Sequence, residues 1–293
     1  MPNLLWFALL ASLSATPAPN PLFQTLVSEG VTLDGGDVLK LPPPAMNDGL
    51  DAAAQKAAVA AIPNAKPFAT MAEHSVNAPF IYSLKNAAVT KTDGRGRQVD
   101  LYFIAYGDWD KLTDEKYLEQ RFKGQPAPEK KDDLPSDSHS LSAEELSARS
   151  ITLSTDEGVR ESLAWAEFPI LEKVVTAGAS RVMQTYGQDS ITVALMFDPR
   201  FAADAEFPNR WRPATRLANG THKLGEPQPY SGVGGYVKIT RMAEPAGAAF
   251  FEVHLVFFEP KGWFNNSSQL SSKLGAVVQD QVRDFRRELE KPD

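Results

Sequence analysis

Residues 198–230 gather side chains that recognise negative charge, in a chain that is otherwise acidic. Between positions 200 and 223, the basic residues Arg200, Arg210, Arg212, Arg216 and Lys223 stand against only Asp204 and Glu206. His222, Trp211 and Tyr230 accompany them. A guanidinium presents a planar fork of donors that matches carboxylate, sulfate and phosphate oxygens, and arginine with Trp or Tyr is the composition of recognition hot spots. The eight residues are therefore expected to form a binding surface for an anionic glycan or an envelope protein, on a long irregular segment (198–235) between core strands.

The competing chemistry is hydrolysis of a glycan or ester. Asp108 and Asp110 flank Trp109, Asp198 follows an apolar run, and His222 offers a base. Paired carboxylates across a cleft serve glycoside hydrolysis. Against this, Asp110 stands just before an expected helix, where an acid favours the N-terminal dipole end. The chain holds no Gly-x-Ser-x-Gly elbow and no Ser-x-x-Lys pair, and the glycines after Tyr230 lack the strand-then-helix setting of an elbow. Its histidines, His74, His139, His222 and His254, show neither His-x-His nor His-x-x-x-His spacing, and there is no cysteine. No metal site or cofactor is therefore expected. Asp34 and Asp37 bracket two glycines in a segment too short for an EF-hand. His254, on a half-apolar strand, reads as a hydrogen-bonded structural histidine.

These residues must be held by strands. The pattern Val-x-Leu-x-Phe recurs at Val99-Leu101-Phe103, Val193-Leu195-Phe197 and Val253-Leu255-Phe257. Side chains alternate along a strand, so each repeat paints one apolar face. The strand at 250–258 is the strongest of these signals. Further strands are expected at 31–33, 38–41, 80–90, 97–106, 151–154, 160–168, 180–186, 190–197 and 236–242. Asp93-Gly94 and the 187–189 segment mark hairpin turns. Helices are expected at 20–29, capped by Asn20, at 49–62, at 113–122, at 142–149 behind a Ser142/Glu145 capping box, and at 267–291. Leu270, Leu274, Val277, Val278, Val282, Phe285 and Leu289 form an apolar stripe on the last of these. Hairpins without strand–helix–strand alternation predict an α+β fold with a predominantly antiparallel sheet, packed against the long C-terminal helix and short N-terminal helices.

One offset hints at internal duplication. A shift of 154 positions carries Tyr82 onto Tyr236, Val99 onto Val253, Leu101 onto Leu255, Phe103 onto Phe257 and Trp109 onto Trp263. The expected organisation is one α+β domain over 19–293, with pseudo-repeated lobes near 66–123 and 220–293 around a middle β region. A polar loop is expected at 123–140.

Composition bounds the rest. The chain has 293 residues, a formal charge of −7 and 43% hydrophobic residues, enough for a sizeable core and a poor match to nucleic acid as a partner. Residues 4–13 are apolar and short, and are followed by small residues, as in a secretory signal peptide ending near residue 18. A secreted or periplasmic product without a transmembrane segment is expected.

Overall fold

The computed structural model describes residues 19–87, 89–91, 93–113, 134–264 and 269–291. The expected signal peptide, most of the helix expected at 113–122, and the first part of the polar loop at 123–140 lie outside the described residues. The architecture is α+β, built on an eleven-stranded antiparallel sheet.

The chain enters through α1 (Pro21–Ser28), where Asn20 caps the helix by accepting from Phe23 N at 3.0 Å. The Asn20 amide also donates to Met183 O at 2.8 Å, so the cap nails the helix to the sheet. A small pair follows, β1 (Val31–Thr32) and β2 (Val38–Leu39), then α2 (Ala52–Ala60) under its Asp51 cap, and α3 (Phe68–Met71). The first large hairpin is β3 (Ile81–Ala87) and β4 (Gly94–Tyr106). Next come α4 (Trp109–Thr113), β5 (Asp137–Ser140) and α5 (Ala143–Ala148), whose Ser142/Glu145 capping box is complete. The middle region is β6 (Val159–Ile170), β7 (Val174–Tyr186) and β8 (Ser190–Phe197). A 3-10 turn (Pro199–Phe201), β9 (Arg210–Arg216), β10 (His222–Leu224) and β11 (Gln228–Pro229) lead to the hairpin β12 (Val233–Arg241) and β13 (Ala248–Phe264). The chain closes with α6 (Gln269–Glu290).

The main path through the sheet runs β10-β9-β7-β8-β12-β13-β4-β3, with β11 on β9, β6 on β7 and β5 on β6. Strand β7 is the branch point. One edge pairs with β6 along its length, while the other is shared by β8, from Ser180 onward, and β9, from Val174 to Ala177. Gly178 sits at the handover, and a Cβ there would lie 2.4 Å from the Phe197 ring. The missing side chain is what lets that ring lie over β7.

Two layers sandwich the sheet. On one face α6 presents Val278, Val282, Phe285 and Leu289 to Leu101, Phe103, Val193, Val237, Ile239, Phe251 and Val253. Phe285 meets Phe251 edge-on, with centroids 5.0 Å apart. On the other face Leu22 and Leu26 of α1 share a core with Tyr236, Ala194 and Met183, while Met46, Val59 and Met71 cover Ile104 and Phe250. β13 is therefore buried on both sides, as its run of phenylalanines requires.

Three expectations need correction. Residues 198–235 are not one irregular segment, because β9, β10 and β11 extend the sheet there. Residues 151–154 form no strand; the Ser154 N–H instead donates to Glu161 at 2.6 Å. The polar loop at 123–140 ends in β5, which pairs with β6. The strands matched by the 154-residue offset, β4 and β13, lie side by side with Asp100 opposite His254. The outer strands differ in register: Tyr82 pairs with Leu101, whereas Tyr236 pairs with His254, so the two tyrosines face opposite sides.

Candidate functional site

The order of β9 follows from β7. Arg210, Arg212 and Pro213 lie opposite Ala177, Val175 and Val174, and Arg216 lies opposite His222 of β10. Alternation then places Arg210, Arg212, Arg216 and His222 on one face, the face turned away from α6. Ala214 and Leu224, which share that face, pack on Val175 and Leu134 as its apolar floor. At ~3.4 Å per residue, the three arginines are spaced ~7 and ~14 Å along the strand.

Electrostatically the face is under-compensated. Arg210 has Glu167 at 3.6 Å, a long contact. The Nε atoms of Arg210 and Arg212 are buried without a hydrogen-bond acceptor, and Arg216 is exposed. Buried guanidinium donors without acceptors are costly.

The other four expected residues go elsewhere. Trp211 lies on the opposite face, with its ring 6.0 Å from Trp263. Lys223, paired with Thr215, also points away from the arginine row. Arg200 is clamped to Asp198, donating to both carboxylate oxygens, with a closest contact of 2.5 Å. Tyr230 is buried, donates to Phe258 O at 2.9 Å and packs on Trp263, which makes it a core residue. Its hydroxyl is pushed well above the usual range by burial.

The residues expected for hydrolysis do not assemble. Asp198, although burial works against ionisation, is held below the usual carboxylate range by Arg200. Asp108 accepts from Asp110 N at 3.0 Å as the start of α4. The sheet also separates them. Tyr106, near Asp108, lies opposite Ala248, whereas Met196, near Asp198, aligns through Gly234 with Val256. The two points are eight positions apart along β13, ~27 Å at strand rise.

A second polar group, beneath α1 and residues 42–48, escaped sequence reasoning except that His254 was read as structural. His254 Nδ1 donates to Asp100 Oδ1 at 2.8 Å, and both side chains are nearly sealed from water. A carboxylate only accepts, so the proton sits on Nδ1. Lys85 and Gln98 add donors to Asp100 at 2.7 and 2.9 Å. Burial works to raise the Asp100 carboxyl, but these bonds overcome it and hold the group well below the usual range. The rings of Tyr236 and Tyr102 flank His254 with centroids at 4.9 and 5.3 Å. Its Nε2 is buried without a partner. One row along, Glu252 accepts from Ala45 N at 2.7 Å, and burial lifts its carboxyl to about 7. Neighbouring Lys238 reaches Asp48 at 2.7 Å and Met46 O at 2.8 Å. An Asp–His pair of this kind has the form of a general base. Here His254 is 1% exposed, and the pair ties β13 to β4 inside the sheet, while Glu252 and Lys238 hold residues 45–48 over it. The available signal was the 154-residue offset, which aligns Asp100 with His254.

Among the described residues no helix is long and apolar enough to cross a membrane. No protein-family model matches the chain, and no curated protein matches it. Among solved structures the chain is similar to the human StarD13 (DLC2) lipid transfer and protein localization domain. That match has 8% identity and a TM-score of 0.37, covering 72% of this chain and 91% of the other.

Proposed function

We propose that this protein is a non-enzymatic binding module that acts outside the cytoplasm and holds a linear polyanion, of the acidic-glycan class, along β9. The observation that carries the reading is the register that aligns Arg210, Arg212 and Arg216 on one face with His222 beside them. Strand-borne arginines at regular spacing suit a polymer that repeats its charge, because the sheet holds the side chains in order before the ligand arrives. Export is supported by the apolar run at 4–13 and the small residues after it.

Immobilised polygalacturonate, with neutral dextran as control, tests the reading. The protein is expected to bind polygalacturonate and not dextran, with affinity falling as salt rises. Arg212→Gln/Arg216→Gln is expected to lose at least about tenfold in affinity, since each charge-assisted bond contributes more than a neutral one. Equal binding by parent and variant, or equal binding to both polymers, contradicts the assignment. Capture of an envelope protein through the same arginines, with no affinity for polygalacturonate, would also count against a glycan.

A further inference from the structure

The outer flank of α6 carries a second cluster of basic side chains, remote in sequence from β9. Gln279, Arg283 and Arg286 fall on one helical stripe and, together with residues 76–80, line a recess of about 160 Å³. Arg286 is the anchor. It is 2% exposed and donates from Nε to Ile104 O at 2.9 Å, and from its terminal nitrogens to Val76 O, Ala78 O and Pro79 O at 3.3, 2.5 and 3.2 Å. Carbonyl oxygens satisfy its geometry but do not neutralise its charge. Among the described residues no carboxylate lies within ion-pair distance of Arg286 or Arg283. Glu290, which offsets the Arg286 charge in part, faces His74 at 3.4 Å. Burial drags the Arg286 guanidinium down to about 10, against a smaller opposing pull from Glu290.

We infer that this recess binds a small monocarboxylate with a compact apolar body, about the size of benzoate. Charge selects the anion, because two guanidinium groups and the amides of Gln279 and Asn77 line a space that no acid lines. The apolar walls, Val76, Ala78, Pro79 and Phe80, select the body, since a phosphate would leave them facing water for no gain. Size sets the limit: an apolar cavity of ~150 Å³ takes up a benzene ring. Arg283, the more exposed of the two, meets the carboxylate, and the buried Arg286 supplies the field beside it.

Calorimetric titration of the full chain with benzoate, benzamide and inorganic phosphate tests the inference. Benzoate is expected to bind saturably in the millimolar range or tighter, with benzamide and phosphate at least about tenfold weaker. Arg283→Gln is expected to weaken benzoate by at least about tenfold with an unchanged melting temperature. Arg286→Lys, which keeps the charge, serves as the second variant and should weaken it less than Arg283→Gln does. The inference fails if benzoate does not bind, or if benzamide or phosphate matches it. It also fails if the loss follows Arg212→Gln/Arg216→Gln rather than Arg283→Gln, a result that separates this site from the β9 face.

Discussion

Replacing Asp100 with Asn removes one buried charge from β4, the strand beside the β3 edge, and leaves the shape almost unchanged. In the parent the carboxylate accepts from His254 at 2.8 Å, Lys85 at 2.7 Å, Gln98 at 2.9 Å and Ser83 at 3.3 Å. The Lys85 ammonium is 61% exposed, so that pair is screened and contributes only ~0.2–1 kcal/mol. His254 is different, because both partners are buried, and a hydrogen bond to a charged group contributes ~1.5–3 kcal/mol there. The asparagine carbonyl keeps one of these bonds in weaker, neutral form, while its amino group confronts the remaining donors. The expected cost at pH 7 is ~2–4 kcal/mol, below the ~3–5 kcal/mol of breaking a buried pair outright. Urea unfolding should show a lower midpoint at unchanged slope. The pH dependence follows from a depressed carboxyl. The folded state holds this proton more weakly than the unfolded chain, so the contribution is complete above the ordinary value of 3.8 and is lost as pH falls through the folded value. The gap between parent and Asp100→Asn should therefore stay level from pH 5 to 8 and close on further acidification. A double-mutant cycle with His254→Gln should show coupling of ~1 kcal/mol or more. A gap under ~0.5 kcal/mol at pH 7, or additive single variants, would refute the reasoning, since surface substitutions already reach that size.

Glu252 has the opposite sign. Its folded carboxyl is lifted from 4.5 to about 7, so the folded state holds the proton through that window and its contribution to stability declines as pH rises across it. Thermal melts should show Glu252→Gln gaining on the parent between pH 5 and 8, and a difference that does not change with pH would count against a buried carboxylate. Phe285→Ala should cost ~3–5 kcal/mol, because the ring is buried and lies edge-on to both Phe103 and Phe251. Phe285→Leu, by contrast, should stay below ~1.5 kcal/mol. Equal denaturation midpoints for the two variants would mean that α6 does not clamp the sheet as described.

Much of the scaffold was legible because its signals are local. Asn20 and Ser142 cap helices within a few residues of themselves, the hairpin signalled at Asp93-Gly94 joins the adjacent strands β3 and β4, and the α6 stripe repeats every helical turn. The arginine row of β9 was legible only in composition. Arg210 and Arg212 share the short β9 with Pro213, and a proline reads as a strand breaker, although here it sits at the end of the short β9–β7 ladder, opposite Val174. Tyr230 and Trp211 were read as recognition aromatics, and both instead face the core around Trp263, because a rigid apolar ring fills buried volume as readily as it meets a ligand.

The amino-acid sequence by itself determined the α+β class, the strand faces and the amphipathic closing helix, since each is written in alternation or helical spacing over a few residues. Tertiary structure alone decided which edges meet. Alternation says that a strand has two faces and says nothing of its neighbour. Only the fold shows that β7 divides one edge between β8 and β9, setting Arg210, Arg212 and Arg216 in a row beside His222. Only the fold brings Asp100 against His254, 154 positions away, and buries both. Charge recognition depends on such distances, and a linear chain does not carry them.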